Sequence, residues 1–386
     1  MTQSQSDTLY ARIEKKVAAI NADIWDALNI GGNPFTSHAF LSAMEESGSV
    51  GKGSGWSPLP IMISGPDDRP AAILPAYLKG HSQGEYVFDQ GWAQAYERAG
   101  GQYYPKLQIA VPFSPVSGPR ILFQDAQYAL PLLKAAENFI TQNGLSSAHA
   151  SFVEEGQLDF FRDAGWLIRQ DIQFHWYNKN YTDFDDFLSA LSSRKRKNIR
   201  KERRIANENV EVKLLRGAEI LPHHMDAFWI FYQDTGARKW GTPYLTRAAF
   251  DLLLEKMGNQ IILIMAFNEN GMAVAGALNL LGADCLYGRY WGCAEHLDHL
   301  HFELCYYRPI IFAIEHGLTR VEAGAQGAHK LARGYLPCPT YSAHFIADKG
   351  FRDAVAQFLE QEQSAVEDER EFLTQLGPFK RGPDNI

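Results

Sequence analysis

Apolar residues along this chain follow two rhythms: short dense runs, and longer stretches in which they recur three or four positions apart. The first rhythm predicts strands and the second predicts helices that bury one face. In the C-terminal half the pattern predicts helices over 184–207 (as two pieces), 222–235, 247–257 and 301–316. It predicts strands over 210–215, 260–267, 272–281, 285–291, 320–324 and 340–347. A last helix over 351–373 carries Phe351, Val355, Phe358 and Leu359 at a spacing that packs on a sheet.

The N-terminal half repeats this order. Residues 59–78 read LPIMISGPDDRPAAILPAYL and residues 262–281 read ILIMAFNENGMAVAGALNLL; both are an apolar strand, a four-residue turn cluster and a second apolar strand. The segment FITQNGL at 139–145 matches FAIEHGL at 312–318, each a helix end followed by a glycine suited to a left-handed cap. Short strands follow at 148–153 and 320–324. Gly165-Trp166 and Gly334-Tyr335 then each open a strand, with His175 and His344 nine residues beyond the aromatic. Three matches in one order predict a structural duplication, two halves with mixed sheets and helices on their faces. The expected boundary lies near residue 180, which gives domains 1–180 and 181–386.

Composition narrows the setting. The 386 residues are 46% hydrophobic and 21% charged, enough for a sizeable core, and the formal net charge of −8 argues against general nucleic-acid or membrane-surface binding. No apolar run approaches the ~20 residues of a membrane span, so no membrane insertion is expected. The polar start at 1–11 is unlike a secretory signal, and Cys285, Cys293, Cys305 and Cys338 form no C-x-x-C pair. Reduced thiols and a cytoplasmic location are the expectation.

Longer motifs carry a resemblance. These are Asn33-Pro34-Phe35, Tyr96-Glu97-Arg98-Ala99-Gly100, the run from Tyr103 to Gln108, and the run from Val111 to Arg120. In the second half they are 194–204, Tyr290-Trp291-Gly292 and the run from Ala325 to Gly334. With the element order they resemble the GNAT acetyltransferase fold. More specifically, the whole chain looks like the Fem-like predicted N-acyltransferases, relatives of the aminoacyl transferases that build peptidoglycan cross-bridges. The resemblance implies an α/β fold of tandem GNAT-like domains, mixed central sheets flanked by helices. It also implies acyl or aminoacyl transfer from an activated donor to a small or peptide-like amine acceptor. Acyl-CoA is the expected co-substrate. The second half has no long heptad insertion, so the helical arm of the cross-bridge enzymes is missing and use of charged tRNA is the lesser alternative. A GNAT-fold binding protein without catalysis is the other.

The candidate chemistry concentrates in the second half. Between Arg194 and Arg204 stand eight basic residues and one acid, a density that calls for an anion; Arg196, Lys197 and Arg200 are its candidate phosphate contacts. The resemblance places an equivalent helix beside the substrate cleft. The small-residue stretch 324–330 follows a strand and precedes a short helix, so the backbone at Gln326 and Gly327 could approach an anion. Its first-half counterpart is acidic and carries one glycine, which points to the second half for the donor and leaves the first half the acceptor side.

His329 is a candidate base for the attacking amine, with Glu322 as competitor, and Lys330 and Arg333 are candidate holders of a carboxylate or phosphate. In GNAT-like enzymes the strand around Tyr290 polarises the thioester carbonyl through backbone N–H groups. Glu303 and Tyr306, at i and i+3, start the next helix on the same side. Lys106 and Arg120, read as lying on a stiff proline-rich first-half loop, are candidate contacts to the acceptor; the alternative is that the prolines simply turn the chain. Cys293, His296, His299 and His301 cluster in sequence, but their spacing matches no zinc motif and H-E-x-x-H is absent, so no metal is expected.

Overall fold

The computed structural model describes residues 9–66, 68–239, 243–324 and 327–380. The chain forms two compact units, 1–171 with 340–365 and 172–339 with 366–386. The division differs from the single boundary expected near residue 180. Two long strands, Leu167–Tyr177 and Leu336–Ile346, each run out of one unit and into the other. The end of the first pairs in unit two, Glu322 opposite His175. The end of the second pairs in unit one, His344 opposite His149. Each half therefore closes its sheet with a strand supplied by the other half. The aromatic-plus-nine spacing correctly marks two equivalent strands, but strand pairing is non-local and local pattern is blind to the partner.

In unit two the sheet order is Val210–Arg216, Ile261–Asn268, Ala273–Leu281, Cys285–Cys293, Arg320–Glu322 and the end of Leu167–Tyr177. All neighbours are antiparallel except Cys285–Cys293 beside Arg320–Glu322. The strand Ile261–Asn268 is buried over six consecutive residues, the continuous apolar run of a strand covered on both faces. Helices Phe184–Ala190, Ser193–Ala206, Pro222–Lys239 and Arg247–Met257 surround it, the last capped by the Thr246 side chain. Trp176 is fully buried with Phe187 edge-on at 5.8 Å.

Unit one holds Trp56–Pro58, Ala76–Lys79, Lys106–Ile109, Ser147–Val153 and the end of Leu336–Ile346 in one sheet. A smaller sheet contains the hairpin Ile61–Ser64 and Pro70–Leu74. The expected duplication shows in the local geometry. Gly144 and Gly317 both end their helices with left-handed φ of 63° and 65°. Leu145 and Leu318 donate back to Ile140 and Ala313, at 3.0 and 2.8 Å.

One face of the unit-one sheet is polar although buried. His149 and His344 meet through their Nδ1 atoms at 2.7 Å, and Nε2 of each lies 2.8 Å from the hydroxyl of Ser147 or Ser342. Burial, then the Lys106 charge, pulls His149 down to about 3 against the opposing pull of Asp89, and burial, then His149, holds His344 well below the ordinary histidine value. Below the ordinary histidine range the unfolded chain binds protons that the fold refuses, so this pair stabilises the protein near neutrality and loses that contribution as pH falls. Glu45 and Glu85, both raised to about 7 by burial, act in the opposite sense. The comparison must therefore be made between variants. Thermal melts at pH 5, 6 and 7 should show a steeper acid loss in the wild type than in His344→Gln; parallel curves would refute the assignment.

Candidate functional site

Parallel pairing at the centre of the unit-two sheet is short. Cys285–Cys293 pairs in parallel with Arg320–Glu322 only at Cys285, Leu286 and Tyr287. Beyond that point its antiparallel ladder to Ala273–Leu281 is interrupted, with Tyr290 opposite Leu278, Gly288 opposite Asn279 and Arg289 as the extra residue. Such a bulge re-aims the strand. Parallel pairing ends there, and the second half of Cys285–Cys293 runs on past the end of that neighbour.

The helix that follows contains one wide turn. Leu300–Phe302 is α-helical, Glu303–Tyr307 is a π turn, and Arg308–Glu315 is α-helical again. A π turn inserts a residue and changes which side chains share a face, and it recurs at functional positions. Here it presents Tyr306 and Tyr307 to different partners. The Tyr306 hydroxyl lies 2.8 Å from His329 Nε2, and the Tyr307 hydroxyl donates to Glu202. Burial holds both phenols well above the ordinary tyrosine value, so both remain protonated near neutrality.

His329 stands on a short 3₁₀ turn, Ala328–Arg333, after the strand Arg320–Glu322. The turn is tied down from inside. The Lys330 ammonium donates to the Gly324 carbonyl at 2.6 Å. Arg333 donates to the His329 carbonyl at 2.7 Å and to Glu202 at 2.8 Å, with its guanidinium 3.4 Å from the centre of the Phe302 ring. Gly327 has φ of 119°, and a Cβ there would fall 2.3 Å from the His329 ring, so glycine is needed for both the turn and the imidazole. His329 itself is exposed. The His301 ring lies 6.0 Å from it and 5.0 Å from Trp291, which links the imidazole to the second half of Cys285–Cys293.

The remaining expected residues fall in several places. Gln326 lies outside the described residues. Lys330 and Arg333, expected to hold an anion, are 3% and 6% exposed and engage the protein itself; cations that deep need internal partners, and these two stiffen the turn that carries His329. Glu322 is 2% exposed and held by Arg320 at 3.2 Å, with its other oxygen 3.9 Å from the buried His175. The Tyr290 ring packs on Tyr232 and Phe250, on the helix-covered side.

Arg196 is half-buried, while Lys197 and Arg200 are exposed, with Arg200 paired to Asp185 at 2.8 Å. Glu303 is fully buried between Arg203 and Arg308. In unit one, Lys106 opens a strand instead of sitting on a loop and is fully buried against Glu85, Asp89 and Ser82. Arg120 is also fully buried and donates to the backbone carbonyls of Ser151, Pro119 and Val116. Neither position fits the contact with an acceptor expected of them. Both are internal braces, because a cation in a dry interior must be matched by acceptors there.

Sequence reading gave Glu202 and Phe302 no role, and took Trp291 only as part of a motif and His301 only as part of a cluster that fits no metal. Glu202 did leave a signal, as the single acid in the basic run. An acid kept inside such a run marks the helix face that docks on a cation, here Arg333. Among the described residues no group of three or more His, Cys, Asp or Glu side chains is arranged to hold a metal, and no helix is long and apolar enough to cross a membrane.

Comparison with known proteins agrees with this fold. The family description FemAB-like, peptidoglycan biosynthesis/recognition, matches residues 16–381. The solved structure of FemX superposes with a TM-score of 0.54 at 11% identity, over 89% of this chain and all of FemX (100%). L-PGS from Bacillus licheniformis superposes with a TM-score of 0.53 at 11% identity, over 88% of this chain and 97% of that one. At such identities the likeness is one of fold. No curated protein matches the sequence.

Proposed function

Because the chain belongs to the FemAB-like family, we propose that it is an N-acyltransferase that works in unit two, moving an acyl group from an acyl-CoA donor to an amine acceptor. The observation that carries the reading is His329: an exposed imidazole on the turn that follows the short parallel strand, locked by Lys330 and Arg333 and paired with a protonated Tyr306. The acceptor nitrogen attacks the thioester carbonyl. The proton it sheds is taken by the His329 imidazole, whose Nε2 faces the Tyr306 hydroxyl. The tetrahedral intermediate collapses to the amide, and the thiolate leaves and regains a proton, so no covalent enzyme intermediate is involved. Backbone N–H groups near Tyr290, freed by the end of parallel pairing, stabilise the oxyanion. Glu322 is a poorer base here, since its carboxylate is buried and bound to Arg320.

Calorimetric titration of the whole chain with acetyl-CoA and a longer acyl-CoA, followed by thiol release with a panel of amines, tests this reading. Micromolar binding and amine-dependent thiol release are expected. Binding without thiol release on any amine would favour a ligand-binding protein, and no binding at all would end the acyl-CoA reading and make charged tRNA the next donor to try.

A further inference from the structure

Away from the His329 turn, the basic helix of unit two borders an open concavity of about 450 Å³, lined by Phe184, Asp185, Leu188, Arg200, Arg203, Arg204, Asn207 and Arg308. This lies within the ~300–1,000 Å³ range of small-molecule sites. Four guanidinium groups are matched by three carboxylates, Asp185 of the lining, Glu208 beside Arg204 and Glu303 behind the floor. Glu303 is fully buried and organises the floor: Arg203 grips it with Nε and one terminal nitrogen at 3.0 and 3.1 Å, and Arg308 with Nε at 2.8 Å. The second edge of Arg308 reaches Asn207 at 3.2 Å. Arg200 is held by Asp185, and Arg204 by Glu208.

Each arginine is thus anchored through part of its fork. The remaining terminal nitrogens of Arg203 and Arg308 have no hydrogen-bond partner among the described residues. One carboxylate shared by two adjacent guanidinium groups leaves a full positive charge uncompensated at the floor, and guanidinium forks match phosphate oxygens. The walls are not all polar. Phe184 stands 4.6 Å from the Arg203 guanidinium, and Leu188 continues the apolar side. An anion-binding floor beside a flat apolar wall suits a phosphate that carries a ring.

We propose that this concavity binds a phosphorylated mononucleotide, the kind of group that ends a nucleotide-bearing coenzyme. The identity of the ligand rests on the transferase reading above. The chain's net charge of −8 disfavours a long polyanion.

The test is calorimetric titration of the intact protein, in phosphate-free buffer, with adenosine 3′,5′-bisphosphate, inorganic pyrophosphate and a short single-stranded RNA ending in CCA. The bisphosphate should bind, and more tightly than pyrophosphate. Charge reversal at the exposed rim (R200E with R204E) should weaken it at least tenfold, while R162E in unit one, an equally exposed arginine, should leave it unchanged. An equal loss in R162E, no effect of the rim reversal, or no binding would overturn the proposal. So would equal affinity for pyrophosphate, which would remove the ring wall, or groove-dependent RNA binding without nucleotide binding. None of these readouts involves turnover. Nucleotide binding with no thiol release would therefore sink the transferase reading alone, and His329-dependent thiol release with no rim effect would sink this one alone.

Discussion

His329→Ala is expected to lower amine-dependent thiol release by about 10²- to 10⁴-fold, the range that general-base catalysis supplies, with acyl-donor affinity changed little. The reason is positional. His329 is exposed, its Nε2 is 2.8 Å from the Tyr306 hydroxyl, and the turn beneath it is fixed by Glu202 through Arg333. Gly327→Ala should mimic this loss in a protein that still folds, since the new Cβ would lie 2.3 Å from the imidazole and push it aside. Tyr306→Phe should cost less, because it removes an orienting partner and leaves the base. Rates measured against pH give a second readout: the limb that reports the base should vanish in His329→Ala and survive in Tyr306→Phe. Full turnover by His329→Ala would show that the base lies elsewhere, and Glu322→Gln would become the variant to examine.

Lys106→Met is expected to cost about 3–5 kcal/mol of stability, the penalty of breaking a buried ion pair from one side. The Lys106 ammonium is fully buried, 2.7 Å from Glu85 and 2.9 Å from the Ser82 hydroxyl, and also bonded to Asp89. Burial works against its charge, but Glu85 and Asp89 outweigh burial and hold it above the ordinary lysine value. Removing the cation leaves Glu85 with Lys79 at 3.8 Å and Asp89 with the Tyr103 hydroxyl at 2.8 Å, an incomplete match for two carboxylates in a dry interior. Urea unfolding should show the loss, and adding Glu85→Gln and Asp89→Asn to Lys106→Met should restore part of it. A Lys106→Met protein within about 1 kcal/mol of wild type but deficient in turnover would reverse the assignment and return Lys106 to the acceptor site.

Much of the architecture was legible in the residues themselves because its causes are local. A glycine in the left-handed region ends the helix at 144 and again at 317 whatever surrounds it. Periodicity alone placed the helix Arg247–Met257 within its bounds, since one face is apolar and Thr246 caps its start. The basic run was equally plain, and so were the histidine of the small-residue stretch and the doubled order of elements. The middle of the 301–316 helix was not, because a π turn differs from an α turn by the partner of a backbone hydrogen bond and leaves no change of period that five residues can show.

Tertiary structure decided which of the cations are available to a ligand. In sequence Lys106, Arg120, Lys330 and Arg333 look like Arg200, but the first four are buried and matched by internal acceptors while Arg200 stands at the rim of a concavity. That difference arises from residues far away along the chain: Glu202 lies 131 positions before Arg333, and Ser151 lies 31 after Arg120. The exchange of closing strands has the same origin. Trp166 and Tyr335 open equivalent strands by local pattern, yet an edge strand pairs with whichever ladder offers the right register and an apolar face, and only the folded chain brings those ladders together. Local sequence sets propensities, caps and periods; charge neutralisation and strand pairing are settled between segments that meet only after folding.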